Sequence, residues 1–138
     1  CWYPNWPTIH RSTFDPLTSR LTLVISVVLL GACLSTNERD RAVASLWLNV
    51  VEEMVFLDDV FSGAATSESP DDFPTAHLGS LVSLLQAGYC VCLLQTWEGS
   101  KESKRRVRRN RYNCLIWVSV IEVIQGNGQQ SNIEVACS

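Results

Sequence analysis

Residues 35–61 read STNERDRAVASLWLNVVEEMVFLDDVF, and this stretch decides the fold. Ser35 and Glu38 stand at capping-box spacing, with Asn37 as an alternative cap, so a helix is expected to start here. Beyond it the apolar residues Val43, Trp47, Val50, Met54, Leu57 and Phe61 recur at steps of four and three, which is the spacing of one helical face. That face predicts a helix-packing seam. A Met and aromatic stripe at this spacing reads as core, not as a cofactor box.

Working outward, the run LTLVISVVLLGAC (Leu21 to Cys33) is thirteen residues long, short of the roughly 20 a membrane span needs. It predicts a buried core helix. An alternative reads it as the apolar region of an export signal after Arg20, with LGAC like a lipoprotein cleavage box, giving an exported lipid-anchored or membrane-associated protein. The aromatic residues, three prolines and Asp15 ahead of it make a poor charged leader. On the other side, residues 62–77 are rich in Ser, Gly, Pro and Asp and predict a loop.

A third helix is predicted from Leu78 to Trp97, with Leu78, Leu81, Leu85, Tyr89, Cys92 and Leu93 on one side. Gly99 is placed as its C-cap and Ser100 as the next N-cap, which gives a tight helical hairpin. The fourth helix, from Lys101, carries basic residues first and Leu115, Val118 and Ile121 later. The fold class is all-α, antiparallel helical hairpins in an incomplete helical domain. Two β-branched-rich segments, 21–30 and 114–124, leave strand readings open.

Of the 138 residues, 46% are hydrophobic and 18% charged, against about 25% charged in a typical soluble domain. The length suits one domain, and a chain opening on Cys1 reads as a fragment. Net charge is −3, yet seven of the eleven Lys and Arg lie between Lys101 and Arg111. Such a run is most often a solvated helix face, and it also suits a nuclear-import receptor or phosphate groups. The cluster to watch is Lys104, Arg105, Arg106, Arg108, Arg109 and Arg111.

The six cysteines, at 1, 33, 90, 92, 114 and 137, lie mostly in apolar runs and read as buried free thiols. Cys90 and Cys92 point about 200° apart around a helix, so they cannot form half of a zinc site. Neither His10 nor His77 has a partner at ligand spacing, so no metal ligand set is assigned. There is no glycine-rich phosphate loop and no GxSxG elbow. Ser26, Ser80 and Ser83 sit in apolar helices where a hydroxyl satisfies itself on the preceding turn. A small enzyme would have only Asp71, Asp72, His10 and His77 to work with, so catalytic residues are assigned to none.

With helices assigned, IHRSTFDP (Ile9 to Pro16), followed by an apolar helix ending in LLGACLS, resembles the opening of the fungal-specific transcription factor regulatory domain, where members show PxxHxxTF. The resemblance continues through ERDRAVASLWLNVVEEMVF. It extends to HLGSLVSLLQAGYCVCLLQTWEGSKESKRRVRRNR, which is similar to the leucine-rich and basic helices of zinc-finger subfamilies. It covers about residues 5–117. Ser12 stands where the family often has Pro.

The resemblance implies a partial regulatory domain over 1–118 and a divergent tail over 119–138, truncated or intronic. It implies that His10, Thr13 and Phe14 are structural anchors of the first core helix. Pro16 would then sit in that helix's first turn, with Thr13 or Asp15 as cap. It implies a non-catalytic regulatory segment of a nuclear zinc-finger transcription factor. Partners would be other parts of the parent and transcription regulators, with a homodimer left open and no membrane. This chain holds no cofactor; zinc is implied only for a DNA-binding module absent from it, through which alone DNA would be read.

Overall fold

The computed structural model describes residues 14–59, 61, 78–121 and 123–124, and the described residues form an all-α fold with no strand among them. Helix α1 is Leu21–Cys33, α2 is Glu38–Phe56 and α3 is Leu78–Glu98. The last helix begins as α4 (Lys101–Arg106), passes through one π-helical turn (Val107–Arg111) and returns to α geometry over residues 112–121. Both segments with open strand readings are therefore helical. Helices α1, α2 and α3 pack pairwise, and the last helix lies against α3.

The chain enters α1 differently from the expectation. Asp15 Oδ1 accepts from the Leu17 amide at 3.0 Å, and the Asp15 carbonyl accepts from Ser19 N at 2.9 Å, so Pro16 belongs to a separate turn. The N-cap of α1 is Arg20, without a side-chain cap. Its guanidinium instead pairs with Asp58 at 3.0 Å, tying the start of α1 to the end of α2. Asn37 caps α2 by accepting from Arg39 N at 3.0 Å, while Ser35 Oγ accepts from Asn37 N and donates to Asp40. Glu38 and Asp40 in the first turn suit the positive end of the helix dipole.

The face that α2 buries is a correction. Ala44, Leu48, Val51, Glu52, Val55 and Phe56 are buried, whereas Val43, Trp47, Val50 and Leu57 are 49%, 54%, 54% and 69% exposed. Met54 is partly buried and Phe61 is fully inside. The physical reason is that α2 holds two interleaved series of steps of four and three, offset by one residue. Positions 44, 48, 51 and 55 repeat as regularly as 43, 47, 50 and 54. Periodicity cannot choose between them; the inner series is the one that sets Glu52 against the last helix.

Helix α3 is the centre of the bundle. Leu81, Leu84, Ala87, Cys90, Val91, Cys92, Leu94 and Gln95 are all buried, while Tyr89, expected inside, is exposed. By length and composition Gly79–Glu98 is apolar enough to cross a membrane, but here that apolarity faces helices on several sides. Burial pushes the Cys90 thiol up to about 11 and the Cys92 thiol up to about 12, the latter helped by the nearby Glu52 carboxylate. Both are free thiols.

Two glycines set the close approaches. Gly99, just past α3, has no positive φ, and a β-carbon there would overlap the carbonyl and side-chain oxygens of Gln95. Ser100 then caps the last helix by accepting from Ser103 N at 3.1 Å, as its position predicts. At Gly88 a β-carbon would meet Leu115 Cδ2 at 2.7 Å and Phe61 Cζ at 3.2 Å, so this residue lets the last helix settle on α3. Leu115, Val118 and Ile121, the later apolar residues of that helix, are buried there. Gly88→Val is expected to destabilise the chain by about 1–3 kcal/mol through overpacking, measured as a lower urea midpoint with an unchanged slope.

Candidate functional site

Glu52 is fully buried, which a carboxylate tolerates only when it is paired and hydrogen-bonded. Its Oε1 accepts from Arg106 Nε at 2.8 Å and Arg111 Nε at 2.9 Å. Its Oε2 accepts from Arg106 Nη2 at 2.7 Å and Gln95 Nε2 at 2.9 Å. Asn49 Oδ1, one turn earlier on α2, accepts from Gln95 Nε2, Ser103 Oγ and Arg106 Nη2 at 2.9, 3.1 and 3.2 Å. Arg111 also pairs with Glu53 at 2.7 Å and lies 4.7 Å over the Phe56 ring. One carboxylate therefore joins α2, α3 and the last helix.

The π turn makes the double contact geometrically available. Five residues of regular α-helix advance about 500°, which would leave Arg106 and Arg111 about 140° apart. An inserted residue absorbed by a π turn restores the relation of positions four apart, about 40°. Tyr112 N accordingly donates to the carbonyl five residues back, at Val107, and Val107 is fully buried beneath the turn. Burial alone would raise the Glu52 carboxyl, but the hydrogen bonds and charges of Arg106 and Arg111 outweigh it and hold Glu52 below its ordinary value. The chemistry of this cluster is the fixing of helix register.

The structure divides the basic cluster. Arg106 and Arg111 turn inward to Glu52, and Lys104 is half-buried with Nζ donating to the Trp97 carbonyl at 3.4 Å. Arg105, Arg108 and Arg109 are exposed, together with Lys101, at positions that share one helical face. Phe14 packs partly buried against the core. His10 and Thr13, like Asp71, Asp72, His77 and the sequence from 125 onward, lie outside the described residues. Glu52, Asn49, Gln95 and Ser103 were not picked out from the sequence. The available signal was two polar residues, Glu52 and Gln95, each set among the apolar residues of its helix.

A second feature is a groove of about 380 Å³ between α1 and α2. Ile25, Val28, Leu29, Val43, Trp47 and Val51 give it apolar walls, and Arg39 and Asp40 stand at one end.

Because Glu52 titrates lower in the folded chain than in the unfolded one, its contribution to stability is complete above the ordinary glutamate value of about 4.3 and is lost as pH falls from there through the folded value. Glu52→Gln is expected to cost about 3 kcal/mol near neutral pH, the low end for breaking a buried pair since both arginines reach solvent. Urea denaturation at several pH values should show the gap between the two proteins closing as the medium is acidified. Deleting the exposed Asn110 is expected to be tolerated, because Arg106 and Arg111 then stand four apart in a regular α-helix. Loss of cooperative thermal unfolding in that variant would contradict the register argument.

Over 115 residues, 83% of this chain, the sequence is 41% identical to the transcription factor verF of Penicillium polonicum. The chain spans 16% of that relative's length. No family model and no solved structure matches. Over most of its length, then, this all-α chain is homologous to a part of a fungal transcription factor.

Proposed function

We propose that the chain is a regulatory, non-catalytic segment of a fungal zinc-finger transcription factor, acting in the nucleus through protein contacts. The observation that carries this reading is the 41% identity over most of the chain to a fungal transcription factor. The site's geometry is in keeping with it: the buried charged cluster organises helices, while Arg105, Arg108 and Arg109 face solvent. In this reading the finer assignment is the family's regulatory domain, and DNA is read by a zinc-binding module outside this chain. The exposed arginines then serve an import receptor or sequence-independent phosphate contact.

Fused to a heterologous DNA-binding module, the chain is expected to change transcription from a matching reporter; a transcriptionally inert fusion that folds and accumulates would overturn the reading. By itself the chain should bind duplex DNA weakly at low salt and without sequence preference, losing the affinity near physiological salt. The triple variant R105E/R108E/R109E should flatten the dependence of log K on log salt by about three contacts' worth, whereas Lys104→Glu should change it less. Fluorescence anisotropy titrations over a salt series measure both. Salt-resistant, sequence-selective binding would contradict the assignment of DNA reading to another module.

A further inference from the structure

The last helix carries two kinds of exposed side chain in succession. Lys101, Arg105, Arg108 and Arg109 are exposed along its first part, and Ile116, Val120, Val123 and Ile124 are 62%, 43%, 61% and 49% exposed along its second. Counting the residue absorbed by the π turn, these side chains all fall within about 60° of one line along the helix. Buried Val107, Leu115 and Val118 lie on the opposite side. The stripe is about 34 Å long, cationic over its first half and apolar over its second.

Its charge is not cancelled locally. Among the described residues Lys101, Arg105, Arg108 and Arg109 enter no ion pair, and the acids close to the helix act elsewhere. Glu52 and Glu53 hold Arg106 and Arg111. Glu98 acts on the Cys33 thiol of α1, and Glu102 stands about 100° round from the line, where its charge acts on Arg106. Cationic and apolar lengths on one line select the chemistry of a partner. Phosphate groups match the first length and leave the second facing water. A membrane surface takes an apolar face with cations along its edges, not ahead of it. A peptide with carboxylates over one half and large apolar side chains over the other matches both.

We propose that this stripe binds a protein segment of that composition, acidic in one half and apolar in the other. This rests on the chain's acting through protein contacts, as proposed above, and names the partner class for its outward arginines. The test uses fluorescent synthetic helical peptides with glutamates on one face of one half and leucines on the same face of the other, made in both orders. One order is expected to bind the chain at physiological salt with a Kd of about 10 µM. Ile116→Ser together with Val123→Ser should weaken binding about tenfold. Circular dichroism and the salt dependence of duplex DNA binding should not change, since both side chains are exposed. The triple variant R105E/R108E/R109E should lose the glutamate peptide and accept one with lysines in place of the glutamates, a gain that requires a folded chain. No binding of either order at about 1 mM, binding indifferent to the serine substitutions, or refusal of the lysine peptide by the triple variant would each overturn the proposal. Tighter binding to phosphatidylserine vesicles than to either peptide would overturn it in favour of a lipid surface. A chain that ignores the peptides yet works in the reporter fusion would overturn this partner class and leave the regulatory reading standing.

Discussion

The packing of the last helix depends on one carboxylate. Glu52 has no exposed surface, and taking its charge out of water costs several kcal/mol unless donors replace the lost hydration. Arg106, Arg111 and Gln95 supply them from two other helices. Apolar contacts such as Leu115 on Gly88 are tolerant of small rotations, whereas two guanidiniums on one carboxylate are not. The apolar face therefore brings the last helix to α3, and the ion cluster selects its rotation and height. This is how a buried polar network confers specificity while adding little net stability.

The π turn follows from that requirement. A regular helix through 106–111 can aim Val107 inward and one arginine at Glu52, but the second arginine would miss by more than a third of a turn. Absorbing an extra residue costs some helical hydrogen-bond quality, and the second arginine offsets it by satisfying both Glu52 and Glu53 while stacking on Phe56. The same turn sorts the basic run into residues that hold the fold and residues that face outward. Composition could show only that the run was basic.

How much of this was legible beforehand differs by level. Helix α2, the short α3 to last-helix connection at Ser100, and the apolar Leu115, Val118 and Ile121 of the last helix were readable, because capping and periodicity are local, although the cap of α2 is the alternative Asn37 and not the Ser35–Glu38 box. The buried face of α2 was not, because its two apolar series differ by one residue and local pattern weights them equally. What separates them is long-range: Glu52 lies beside Leu48 and Val55 on the inner face, and its arginine partners are more than 50 residues away. Asp15 was read as a helix cap for a related reason. It does form the local hydrogen bond expected of it, but in a turn that closes before α1 begins.

The low charge content now has a structural meaning. A chain with 18% charged residues has too few to cover all its outer faces, and here exposed apolar residues lie on the outer side of α2, with Trp47 at its middle, and on the last helix at Ile116, Val120, Val123 and Ile124. Several of the charges present are drawn inward: Glu52, Arg111 and much of Arg106 are removed from solvent by the ion cluster. The residues that fix the last helix thereby deepen the deficit of surface charge, so the internal order of the bundle and its apolar outer face have a common origin. Removing that cluster in favour of apolar packing would leave the fold without its register device, while leaving α2 apolar on both sides and with no charge to decide which side turns inward.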